Sequence, residues 1–170
     1  MKDAVPSNIE DTGLGREEFM TTLVANLVET TESYLGYEEA ASFVSEVGDR
    51  MGATLSAFYQ ARRQTDQPNH TYIAAACTNL KTRIDGQFTA VDVSEDRIVF
   101  ENTQCPFHDH VIGSPALCMM TTNVFGRISA DANGYARVHI EEAIATGHNR
   151  CRVCVTLKPE IQGKGHEFFR

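Results

Sequence analysis

From Tyr37 to about Arg62 the apolar residues Ala40, Val44, Val47, Met51, Leu55 and Phe58 return every three or four positions, with no proline between them. That period places them along one side of a single long helix. Such a stripe has to be covered, either by the rest of the chain or by a second copy, and its length suits a homodimer as well as a core. Gly48 and Gly52 lie four apart within the same helix. Each costs about 1 kcal/mol there relative to alanine, so the pair marks the close approach of another helix, from this chain or from a partner.

Around this helix the rest of the chain divides into short elements. Phe19, Met20, Leu23, Val24, Leu27 and Val28 give a first amphipathic helix over Arg16–Thr31, and Tyr72–Ile84 reads as a third, ended by Gly86. The stretches 87–94 and 97–103 alternate apolar with polar residues on either side of an acidic turn, which predicts a hairpin. Pro115 is placed to open a helix over Ala116–Asp131, with Cys118 in its first turn. Past the Asn133-Gly134 turn signal, residues 135–145 and 150–157 read as two strands joined through Thr146-Gly147-His148-Asn149. These elements predict an α+β fold, N-terminal helices packed on an antiparallel sheet made of two hairpins with an intervening helix. Residues 1–15 read as a flexible arm, 16–158 as one domain and 159–170 as an unpatterned tail.

At 170 residues the domain can bury a core without disulfides or metal. Its net charge of −8 opposes a phosphate backbone, and the cluster Ala61-Arg62-Arg63 is too short to reverse that, so nucleic acid is not an expected partner. No apolar run approaches a membrane span, and the first residues lack the pattern of a secretory leader. A cytoplasmic protein, away from membrane, is the expectation. Five cysteines in a reducing compartment then point to free thiols, metal ligands or a redox site.

Four of those cysteines fall in the last two-fifths of the chain. Cys105 opens a loop, Cys118 a helix and Cys151 a strand, so one fold can gather them as thiolate ligands of zinc or an iron–sulfur cluster. The amides at a helix start also favour the Cys118 thiolate. Cys151 and Cys154 resemble a C-x-x-C chelate, yet residues three apart on a strand face opposite ways. Cys154 is therefore only a candidate fourth ligand, alongside His108, His110 and His148. Each has a plainer reading: histidines in a loop are commonly solvated, and a free cysteine often packs as a small hydrophobe, which is the better account of Cys77 between apolar helix residues. Glu141 and Glu142 are adjacent and face opposite sides of a strand, so they do not form an acid–base pair. Nucleophile elbow, Walker loop, dinucleotide fingerprint and HExxH are all absent, and no catalytic residue stands out.

The segments Cys105-Pro106-Phe107, Leu117-Cys118-Met119-Met120-Thr121 with Asn123-Val124-Phe125-Gly126, and Gly147 four residues before Cys151 resemble the methanogen output domain family. The likeness runs from Cys105 to Leu157 and extends into the helical half. It implies a sensory or output module of a signalling protein, here expected to act as a separate subunit on a signalling partner. More distantly the arrangement is similar to vinyl-reductase-type regulator domains and to cysteine-rich iron–sulfur repressors, which implies a bound metal or cluster. Two positions depart from the pattern: Ala143 where many relatives carry another cysteine, and His108 where glycine is more usual.

The expectation is thus a homodimeric regulatory sensor whose metal or iron–sulfur site, held by Cys105, Cys118 and Cys151, orders the loop between the first two. One alternative is a small-molecule-binding module with a structural zinc and a pocket walled by Phe107, Met119, Met120 and Phe125. Another is a cysteine-dependent hydrolase using Cys118 or Cys105 as nucleophile.

Overall fold

A computed structural model describes residues 13–159 and 163–170. Most of the expected N-terminal arm and part of the expected tail lie outside those residues. Four helices, α1 (Arg16–Leu35), α2 (Tyr37–Gln60), α3 (Asn69–Arg83) and α4 (Cys118–Asn133), combine with five strands. The strands are β1 (Thr89–Val93), β2 (Arg97–Asn102), β3 (Tyr135–Glu142), β4 (Cys151–Thr156) and β5 (His166–Phe169). They form one antiparallel sheet in the order β1-β2-β4-β3-β5, so the two expected hairpins lie side by side through β2 and β4. The fold is α+β.

α4 is the central element, with α2 on one side and β3 and β5 on the other, while α3 lies beside it over β1 and β2. Its apolar residues meet the inward face of the sheet, where Phe125 packs against Phe100 at 4.9 Å and Phe88 at 5.7 Å between ring centroids. Ile98, Phe100, Val138, Val153 and Val155 complete this core by alternation along their strands. The outward face carries ion pairs instead, including Arg150 with Glu142 and Glu101, and Arg152 with Glu101 and Glu141. An antiparallel sheet with one wet face gives this alternation.

Two expectations change. The tail, which has no alternating pattern to read, supplies β5. β5 pairs with β3 and sets Phe168 over Gly126 of α4, where any β-carbon would collide with the ring. The second change concerns α2. Its buried side is Ala40, Ala41, Val44, Gly48, Gly52 and Ser56, a line of small residues against α4, whereas Val47, Met51 and Phe58 stay exposed. Gly48 and Gly52 are occupied from within the chain: a β-carbon would come within 2.9 Å of Asn123 Cβ at the first and 2.8 Å of Arg127 Cβ at the second. They are not available as the approach points of a dimer.

Candidate functional site

The site grows from three chain segments. β2 ends at Asn102, which pairs with Cys151 at the start of β4. Beyond β2 the chain turns through Cys105-Pro106-Phe107 and a 3-10 turn at His108–Val111. A second 3-10 turn, Pro115–Leu117, then leads into α4, whose first residue is Cys118. Pro115 opens the turn, as its fixed φ favours, and the α-helix proper follows.

Cys105, Cys118 and Cys151 line one cavity of about 30 Å³, together with Phe88, Asn102, Phe107, Thr121 and Val153 among others. All three thiols are pushed up, first of all by burial, Cys118 to about 12. The Phe107 amide acts against burial at Cys105, and the Ile144 amide, 3.4 Å from the sulfur, does so at Cys151. At Cys118, the first residue of α4, burial works against the thiolate that a helix start was expected to favour. The thiols also act on one another: Cys151 and Cys105 raise Cys118, and Cys151 raises Cys105. Among the described residues no group of three or more His, Cys, Asp or Glu side chains already stands at metal-ligand spacing, so coordination requires the thiols to close in.

The side chain that the sequence reading passed over is Lys81. It is only 4% exposed, and its Nζ donates to Thr121 Oγ1 at 2.7 Å, over the rings of Phe88 (4.9 Å) and Phe125 (5.4 Å). A lysine in the last turn of a helix normally reaches outward to water. This one is turned inward because the chain past α3 closes over its stem. Asp85 takes the left-handed conformation (φ 58°), and the Gly86 amide donates back to the Lys81 carbonyl at 2.8 Å. Gly86 thus serves as a place of close approach: a β-carbon there would lie 3.0 Å from Pro106 Cγ and 3.2 Å from Lys81 Cδ. Burial pushes the ammonium down to about 8, and the thiols of Cys105, Cys77, Cys151 and Cys118 act the other way. The signal was present in α3, where Ile73, Cys77 and Lys81 fall on one apolar line at four-residue steps.

The candidate fourth ligands lie elsewhere. Cys154 shares the outward face of β4 with Arg152 and Thr156, opposite to Cys151, Val153 and Val155. His108 is exposed at φ 48°, a left-handed position that explains why glycine suits it. His110 Nε2 is 3.3 Å from both Thr22 Oγ1 and Glu18 Oε1 of α1. His148 Nδ1 faces the Ala143 carbonyl and Thr146 Oγ1 at 3.2 Å. Ala143 is buried in a small cluster with Val111 and Leu117, against which Cys105 and Cys118 pack. Cys77 is fully buried in the main core. The wall expected for an organic ligand is not assembled: Phe107 lines the thiol cavity, Met119 an outer cleft, Met120 the α1–α2 groove, and Phe125 is core.

The methanogen output domain 1 family profile matches residues 23–156, from within α1 to the end of β4. The chain belongs to this family. No curated protein matches it. The methanogen output domain match thus takes in all three cavity cysteines and Lys81 and leaves β5 outside. Among the described residues no helix is long and apolar enough to cross a membrane.

Proposed function

We propose that this output domain is a metal-responsive regulatory element in which Cys105, Cys118 and Cys151 hold a single soft metal ion, zinc being the natural choice. The observation that carries the reading is the convergence of three thiols from a loop, a helix start and a strand on one small cavity. Thiolates select soft ions, and the volume of about 30 Å³ suits one or two water-sized occupants, which favours an ion over a multi-iron cluster. Asn102 Oδ1 in the same wall is a buried acceptor without a hydrogen-bond partner among the described residues, a further sign that the cavity suits a polar occupant.

The chain's own residues supply a path outward. Drawing Cys105 and Cys118 together shortens the loop between them, and that loop bears on α1 through His110, Thr22 and Glu18. Thiols that burial pushes away from the thiolate, with no histidine among the described residues of the cavity wall to act as base, do not favour the hydrolase alternative. The same small volume does not favour an organic ligand beside them. Anaerobic purification followed by elemental analysis tests the proposal. About one zinc or other soft divalent ion per colourless chain is expected. Iron with sulfide would replace the single-ion reading by a cluster, and a chain that neither carries nor takes up metal would refute both.

The output surface in this reading is the outer side of α1 and α2, covered by a second copy of the chain. Phe19, Leu23 and Leu27 of α1 and Phe43, Val47 and Met51 of α2 are each roughly half exposed, with no charged side chain at these positions. Leu27, Phe43 and Val47 line one apolar groove between the two helices, and exposed apolar side chains that adjoin one another mark an interaction surface, of which a standard interface needs about 800 Å² a side. Light scattering should give about twice the chain mass of 18.8 kDa. Leu27→Glu should return it to the monomer value, and a monomeric wild type at micromolar concentration would refute the dimer.

A further inference from the structure

The strongest unexplained feature is a buried ammonium with no anion beside it. Among the described residues Lys81 makes no ion pair, and its polar partner is the neutral hydroxyl of Thr121. A buried charge without a counter-charge is costly, and folds remove such charges or pair them. The groups able to become anionic around it are thiols: Cys105, Cys77, Cys151 and Cys118 all act on it, and the three other than Cys77, which is sealed in the core, line the cavity that Thr121 also lines. We infer that Lys81 is the fixed counter-charge of the three-thiol site, which therefore takes a divalent soft ion on three thiolates without a fourth protein side chain. This rests on the metal reading above and adds to it the counter-charge and the ligand count.

The charge balance is simple. Three thiols lose their protons to solvent as three sulfur–metal bonds form. Three thiolates around a divalent ion leave one negative charge, which one ammonium cancels. A trivalent arsenic centre on the same thiolates is already neutral and would leave the ammonium uncompensated. A monovalent ion would leave one negative charge over. Full neutralisation inside a low-dielectric cavity therefore selects the divalent ion. The placement of the remaining donors agrees: Cys154 is across the sheet, and His108, His110 and His148 are exposed or engaged elsewhere. The polar groups left in the wall besides the thiols are the side chains of Asn102 and Thr121.

The experiment compares two ions on the full chain, reduced and oxygen-free. Cadmium binding is followed by its thiolate charge-transfer absorption, and arsenite binding by competition with it and by mass spectrometry. Wild type should bind one cadmium ion per chain and prefer it to arsenite. Lys81→Met should bind cadmium on the order of 100-fold more weakly, the scale of a lost outer partner of a metal ligand, while arsenite binding holds or tightens. Retained arsenite binding shows that the variant folds and that its thiols still converge. Should Lys81→Met not fold, Lys81→Gln keeps a polar tip and is put through the same comparison. Equal loss of both ions would make Lys81 a packing residue and overturn the inference, as would unchanged cadmium affinity. Wild type that binds neither ion would refute the metal reading itself, an outcome distinct from either variant result.

Discussion

Cys118→Ser is expected to weaken binding of a soft divalent ion by a factor on the order of 10² to 10³, and Cys105→Ser and Cys151→Ser should do the same. Thiolate sites bind zinc with about 10–16 kcal/mol at neutral pH, so three or four ligands contribute about 3–4 kcal/mol each. Every 1.4 kcal/mol is tenfold. Cys154→Ser should leave affinity within about threefold of wild type, because strand alternation turns that side chain to the outward face. Cys77→Ala should also keep the ion, at a stability cost of about 1 kcal/mol for the space it opens in the core. Competition titration with a chelating dye on the purified variants decides. Equal losses for Cys151→Ser and Cys154→Ser would mean that the two form a chelating knuckle and that the strand does not begin at Cys151. The pH dependence has a definite sign. Burial holds the three thiols protonated, Cys118 up to about 12, so an ion must displace protons. Affinity should therefore rise with pH, by roughly tenfold per pH unit for each thiol proton released.

Gly52→Leu is expected to destabilise the domain by about 3 kcal/mol or more, or roughly 10 °C in Tm for a chain of this size. The first added carbon would already sit 2.8 Å from Arg127 Cβ and 3.2 Å from Val124 Cα. α4 cannot retreat, because Phe125 and Ile128 on the same helix are fully buried in the core. Gly48→Leu should behave alike, with Asn123 Cβ at 2.9 Å. Urea unfolding of the single variants measures both. The contrasting outcome is specific: if these glycines faced solvent, alanine in their place would raise helix stability by up to about 1 kcal/mol each, and leucine nearly as much.

That contrast shows how far patterning reaches. The positions of all four helices and of the first four strands were legible, because periods of 3.6 and 2 residues reflect which faces must be buried, and turn residues such as Asn133-Gly134 mark the ends. The gathering of Cys105, Cys118 and Cys151 on one cavity was legible as a set, since each stands at the start of an element in the last two-fifths of the chain. β5 was not: His166-Glu167-Phe168-Phe169 has no alternation, and it is a strand because β3 offers an open edge and Gly126 a seat for Phe168.

By itself, then, the amino-acid order determined the element types, the α+β class and which elements carry thiols, all of which depend on local spacing and on side-chain chemistry. Tertiary structure decided the rest. It chose small residues over large ones as the buried side of α2, because α4 comes too close there for any β-carbon. It separated Cys154 from Cys151 by the plane of the sheet, and held His110 on α1. Above all it turned Lys81 inward, by closing Gly86 and Pro106 over its stem, and so put a positive charge in the field of three thiols that lie 24 to 70 positions further along the chain. Contacts between residues that far apart in sequence arise only from packing, and no local period records them.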